Sequence, residues 1–233
     1  VYSKNHMQIL NVCIQNLHVI FAIDRAGLVG SDGETHQGIF DLSYLSSIPN
    51  MTVMAPKNKW ELSDMMKFAV RYDGPIALRY PRGEAYDGLS RFRLPIEYGK
   101  WETIYDENEI ALLAVGSMVK TAVEVRDRLR QMGYGCTLVN ARFVKPLDQE
   151  AIRTLQAEHQ LLVTMEENVK SGGFGEAVLE YLNEIKSQTR AMVIALPDDY
   201  VEHGNVDLLK QECGIDAESI IKKIVIEYIG LTK

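Results

Sequence analysis

The sequence predicts an α/β protein of two doubly wound, mostly parallel-sheet units, and three observations carry that expectation. Short apolar runs of strand length alternate with amphipathic helical patterns along almost all of the 233 residues. The alternation stops once, between Pro81 and about Ile96, where Gly, Arg and Pro accumulate and no period survives. Beyond that break the strand and helix order starts afresh, which predicts a first unit over 1–83, a linker over 84–108 and a second unit over 109–233.

Met7, Ile9, Leu10, Cys13, Ile14 and Leu17 recur at helical spacing and predict an amphipathic helix packed on a sheet. The run from Val19 to Ile23 reads as a strand, and a polar, glycine-spaced stretch from Asp24 to Gly38 follows it. Phe40, Leu42, Leu45 and Ile48 predict a short helix stopped at Pro49. Met51 to Ala55 reads as a strand, Asn58 to Tyr72 as a helix with Trp60, Leu62, Met65, Met66 and Phe68 inward, and Ile76 to Tyr80 as the next strand. Strands alternating with helices in this way imply parallel pairing with right-handed crossovers. In the second unit the strands are Ile110 to Val115, Cys136 to Asn140, Leu161 to Met165 and Met192 to Leu196, with helices over about 118–132, 148–157 and 175–186. Two further helices, near Val206 to Cys213 and Ala217 to Ile229, close it.

Bulk properties narrow the function. A net charge of −7 argues against nucleic acid or an anionic membrane surface as a partner, while leaving room for a local basic pocket. No apolar run approaches the roughly 20 residues that cross a bilayer, and no signal-peptide pattern is present. The three cysteines, Cys13, Cys136 and Cys213, are odd in number and far apart, so neither a disulfide framework nor a structural zinc site is expected, and a reducing cytoplasmic setting fits best. Val1 stands where an initiator methionine would, which reads as a fragment or an engineered start.

Chemistry concentrates in the stretch from Asp24 to Gly38. Its glycines at 27, 30, 33 and 38 permit tight turns, and Asp24, Arg25, Asp32, Glu34 and His36 supply titratable or charged groups. The position after a strand of an α/β unit is where open sheets place ligand sites; the competing reading is a solvated turn capped by Asp32. Asp32 and His36 sit four apart, and a histidine beside a carboxylate can act as acid, base or donor near neutral pH; a lone loop histidine is equally a cap or a surface residue. Arg25 and Arg82 lie just past two predicted strands, so they can converge on one anion such as a phosphate, or each can pair with a surface acid such as Asp24 or Glu84. Arg79, inside the strand, reads as structural. The run Ser171-Gly172-Gly173-Phe174-Gly175 opens a helix and offers either an anion site or close helix-to-strand packing, and it fits neither the Walker nor the dinucleotide fingerprint. Glu166 and Glu167, being adjacent, point different ways and form no acid/base pair.

Taken in order, Phe21-Ala22-Ile23-Asp24-Arg25-Ala26-Gly27 through Asp41-Leu42-Ser43-Tyr44-Leu45, Arg79-Tyr80-Pro81-Arg82-Gly83, Arg142-Phe143-Val144-Lys145-Pro146-Leu147-Asp148, Glu166-Glu167-Asn168 and Leu196-Pro197-Asp198 closely resemble the 1-deoxy-D-xylulose-5-phosphate synthases. The resemblance runs from about Val12 onward. The order of blocks separates this family from transketolase and from the β subunit of 2-oxoacid dehydrogenases, which share its architecture.

The resemblance implies that the first unit is part of a pyrimidine-binding domain and the second a transketolase C-terminal domain. It implies a thiamine diphosphate carbanion that attacks pyruvate, loses carbon dioxide and passes two carbons to D-glyceraldehyde 3-phosphate, a step toward isoprenoid and thiamine precursors. It places the aldehyde phosphate on Arg25 and Arg82, and Asp32 and His36 along the substrate channel, with His36 donating to substrate oxygens. It also implies a homodimer. The family's Gly-Asp-Gly motif and its downstream asparagine, which hold the magnesium and the diphosphate, are not in this sequence, and its pyrimidine-activating glutamate falls before residue 1. Tyr2-Ser3 resembles the start of the aromatic segment that packs on the cofactor ring, but Lys4 to Gln8 does not continue it. The chain is therefore expected to be inactive alone and to need an N-terminal segment of the synthase. Two alternatives are a transketolase-like half with another donor and a non-catalytic binding module of the same fold.

Overall fold

A computed structural model describes residues 2–30 and 33–231, with side chains from Met7 onward. Tyr2 and Ser3, singled out for the cofactor ring, therefore lie outside the described side chains, and Asp32 lies outside the described residues altogether.

The first sheet contains β1 (Ile20–Ile23), β2 (Thr52–Met54) and β3 (Ile76–Arg79), flanked by α1 (Tyr2–Ile14), α2 (Asp41–Ser46) and α3 (Lys59–Ala69). β1 and β2 each pair parallel with β3, as strand and helix alternation requires. The second sheet contains β4 (Glu102–Tyr105), β5 (Glu109–Ala114), β6 (Cys136–Asn140), β8 (His159–Val169) and β9 (Arg190–Leu196). Its order is β4-β6-β5-β8-β9, parallel except for β4, which runs antiparallel to β6. Helices α4 (Met118–Gln131), α5 (Gln149–Glu158), α6 (Phe174–Glu184), α7 (Val206–Glu212) and α8 (Ala217–Leu231) complete it. Asn58, Asp148 and Asn205 cap α3, α5 and α7 by accepting from backbone N–H groups in the first turn, each worth about 1 kcal/mol.

Two strands were not legible as apolar runs, and one of them joins the units. β4 lies within 84–108. β7 (Phe143–Lys145) follows β6 yet pairs antiparallel with β2, so the first sheet has the order β1-β3-β2-β7. The cores are shared in the same way. Along β5, Ala111 and Leu113 pack with Val53, Leu78 and Phe174, while Ile110, Leu112 and Ala114 pack with α4 and α8 through Val119, Val125, Ile220 and Ile224. The period of two thus sends one face of the second sheet toward the first unit.

Between the units a charged cluster is sealed from water. Lys57 Nζ lies 3.0 Å from Glu61 Oε1 and 2.6 Å from Glu102 Oε2, and Arg142 contacts the same two carboxylates at 3.4 and 3.2 Å. Asn140 Nδ2 donates to Glu61, and the Leu94 N–H donates to Glu102. Two cations face two anions, and burial of this kind is tolerable only because each charge is paired. Some helix positions differ from the periodic reading. Met66, Met7 and Ile14 are exposed, and Glu61, engaged in the cluster, takes a buried place on α3.

Candidate functional site

The stretch after β1 is a loop closed at its base. Arg25 takes a left-handed φ of 62°, and the Ala26 N–H donates to Tyr80 O at 3.0 Å, which lays this connection beside the one after β3. Gly27 N–H donates to Gly38 O at 2.9 Å, and Gly38 N–H donates to Arg25 O at 3.0 Å. A Cβ on Gly38 would lie 2.2 Å from Arg25 O, so the crossing of the two strands of the loop requires glycine there.

The loop is held from the second unit. Glu167 Oε1 accepts from the Leu28 N–H at 2.9 Å, while Oε2 accepts from Ser117 Oγ at 2.9 Å and lies 3.2 Å from Lys210 Nζ. Buried Arg79 donates through Nη2 to Gly38 O at 2.6 Å and to Glu167 O at 2.8 Å, and its Nε lies 3.4 Å from Asp41 Oδ2. Burial pushes the Asp41 carboxyl up from its ordinary range, against the pull of Arg79. Farther along, Gln37 Nε2 donates to Val201 O, and Gly204 N–H donates to Gly30 O.

Arg25 and Arg82 stand at the carboxyl edge of the neighbouring parallel strands β1 and β3. Arg25 is partly exposed, with Nη1 2.6 Å from Asp24 Oδ2, so the pairing with a neighbouring acid is present here; Arg82 is exposed. Pro81 and Gly83, on either side of Arg82, line a groove of about 1160 Å³ between the units, shared with Tyr80, Ser117, Lys120 and Lys210. His36 is exposed, its Nδ1 2.9 Å from Thr35 Oγ1. The partner expected for it, Asp32, is not among the described residues, so no Asp32–His36 contact is described.

The glycine run at the start of α6 receives an anion from within the chain. Glu166 accepts from the Phe174 and Gly175 N–H groups, both at 2.8 Å, and a Cβ on Gly175 would lie 2.5 Å from Val193 Cγ1. Burial raises the Glu166 carboxyl to about 7, although those two donors favour its charged form. The sequence offered one signal for this region, the polar Glu-Glu-Asn run ending an apolar strand. Nothing in it pointed to Gln37, Ser117 or Lys210 as holders of the loop.

Among the described residues no group of three or more His, Cys, Asp or Glu is placed to hold a metal ion. No described helix is long and apolar enough to cross a membrane.

The pyrimidine-binding domain of transketolase matches residues 3–87, and the transketolase C-terminal domain matches residues 99–220. A 1-deoxy-D-xylulose-5-phosphate synthase of Lachnoclostridium phytofermentans is 56% identical over 96% of this chain and 37% of its own length. Its counterpart in Clostridium acetobutylicum is 45% identical over 97% of this chain, again with 37% of that protein covered. The chain thus spans little more than a third of the length of these relatives. Among solved structures, a split-gene transketolase described as an inactive β4 tetramer superposes with a TM-score of 0.89 at 25% identity, covering 99% of this chain and 74% of that one. A Campylobacter jejuni transketolase shares the fold, with a TM-score of 0.74 at 19% identity over 95% of this chain and 34% of its own. With both domains matched in order, the chain belongs to the transketolase family and corresponds to the C-terminal portion of its 1-deoxy-D-xylulose-5-phosphate synthase members.

Proposed function

We propose that this chain is the acceptor-binding part of a 1-deoxy-D-xylulose-5-phosphate synthase, which joins pyruvate to D-glyceraldehyde 3-phosphate with loss of carbon dioxide. The observation that carries the reading is the position of Arg25 and Arg82 past adjacent parallel strands, on connections joined at Ala26 and Tyr80. Two guanidinium forks suit a phosphate dianion. Arg25 pairs with the exposed carboxylate of Asp24, and an exposed pair of this kind is worth only about 0–1 kcal/mol. His36, on the outer part of the same loop, donates to an oxygen of the bound substrates, and the family resemblance assigns Asp32, outside the described residues, to the same step.

Thiamine diphosphate would supply the electron sink, and the site for its diphosphate and magnesium lies outside this chain. The domain limits 1–83 and 109–233, with 84–108 between them, belong to this proposal, as do a homodimer, a cytoplasmic setting and inactivity of the chain alone. The split-gene transketolase described as an inactive β4 tetramer supports the last of these.

The test is pyruvate-dependent formation of the sugar phosphate, with thiamine diphosphate and magnesium, for this chain alone and with a separately produced N-terminal segment of the synthase. Activity only in the mixture, with the KM for D-glyceraldehyde 3-phosphate raised about tenfold or more in Arg82→Ala, is the expected result. Activity of the chain alone overturns the reading.

A further inference from the structure

We propose that Glu167 is a positioning residue that holds both feet of the loop bearing Arg25 and His36, so that the second unit sets where that loop stands. The inference rests on the functional reading above only for what the loop does. That the loop is held by Glu167 stands on geometry alone.

The strand carrying Glu167 is longer than its neighbour. The pairing of β5 with β8 ends at Ala114 and Met165, and Glu166 to Val169 run on past it toward the first unit. At the entry foot, the Glu167 carboxylate takes the Leu28 N–H at 2.9 Å. A Cβ on Gly27, whose φ is 77°, would lie 2.5 Å from Glu167 Cδ, so the approach depends on glycine. At the exit foot, Arg79 bridges Gly38 O and Glu167 O. One residue of the second unit thereby serves both ends of the loop, by its side chain at one and by its carbonyl at the other.

The carboxylate is itself fixed. Oε2 is held by Ser117, at the start of α4, and by Lys210 on α7. Glu167 is nearly inaccessible, with its side chain 4% exposed. A carboxylate so enclosed is costly unless all its contacts are kept, and here they are kept by the groups that frame the groove. The Leu28 N–H, buried beneath it, has no water to turn to if the acceptor is removed.

Hydrogen exchange of the intact chain tests the idea without substrate or cofactor. In Glu167→Ala, the amides of residues 25–38 exchange about tenfold faster, as the loss of one buried hydrogen bond permits, while those of β5 and α4 keep their wild-type rates. Glu167→Gln, whose side-chain oxygen still accepts from Leu28 while its amide nitrogen gives up the Lys210 contact, exchanges more slowly over the loop than Glu167→Ala. Gly27→Ala, which keeps Glu167 but pushes its carboxylate away, reproduces the alanine result and carries the test if Glu167→Ala does not fold. Unchanged loop exchange in both alanine variants overturns the proposal. So does an equal acceleration across the whole chain, or a glutamine variant as fast as the alanine one. In the reconstituted enzyme, Glu167→Ala raises the KM for D-glyceraldehyde 3-phosphate about tenfold and Glu167→Gln restores it. An unaltered KM beside a loosened loop overturns the link to the site. Failure of reconstitution to give any activity counts against the functional reading and leaves the exchange result standing.

Discussion

Two sets of buried charge join the units, and they differ in what each charge faces. In the cluster of Lys57, Glu61, Glu102 and Arg142, each cation contacts both carboxylates, and Asn140 and backbone groups at Lys57, Leu94 and Pro95 fill the remaining contacts. Around Arg79 and Glu167, the charged groups spend half of their contacts on backbone, at Leu28, Gly38 and the Glu167 carbonyl. Ion pairs shared crosswise among four side chains lock two surfaces together. A charge satisfied by the peptide groups of a glycine-rich loop gives that loop a defined course while leaving its outer part, with His36, at the surface.

The sharpest way to break this contrast is Arg142→Ala, which leaves Glu61 and Glu102 with one cation between them. Stability measured by urea unfolding should fall by about 3–5 kcal/mol, and a loss near zero would show that the cluster does not lock the units. Next in size is the pH response of Glu166. Its carboxyl titrates near 7 when folded, against about 4.5 unfolded, so the folded state binds the extra proton in that interval and stability declines as pH rises through it. The decline attributable to this group is on the order of 3 kcal/mol, and it should be missing from Glu166→Gln when the two are unfolded side by side from pH 4.5 to 7.5.

Gly38→Ala sharpens the other half of the comparison. Its added methyl meets a carbonyl that cannot turn aside, which should cost about 1–3 kcal/mol and raise exchange in the loop before it affects the second sheet. Smallest in stability is His36→Ala. The side chain is exposed, so thermal unfolding should shift by less than about 0.5 kcal/mol, while product formation by the reconstituted enzyme is lost. A large loss of stability would recast His36 as part of the scaffold.

These two regions also mark what could be read from the sequence. The place of Arg25 and Arg82 past two strands was legible because a charge just past an apolar run needs no knowledge of distant residues. The parallel sheets were legible for the same local reason, from the alternation of strands and helices. β7 was hidden because its two apolar residues, Phe143 and Val144, stand between Arg142 and Lys145 and make no run, and β4 because one of its inward positions is Glu102. Arg79 read as merely structural since its acceptors, Gly38 and Glu167, lie 41 and 88 residues away in the chain. On α3 the periodic pattern placed Met66 inward, whereas the network around Lys57 draws Glu61 in and turns Met66 to solvent.

The crossing of β7 into the first sheet bears on how the protein is made. On the ribosome β2 waits with one edge bare until residues 143–145 emerge, by which time β5 and β6 are already outside the exit tunnel. The two halves must then mature together, and a nascent chain arrested just after residue 108 would present an open strand to its neighbours and to chaperones.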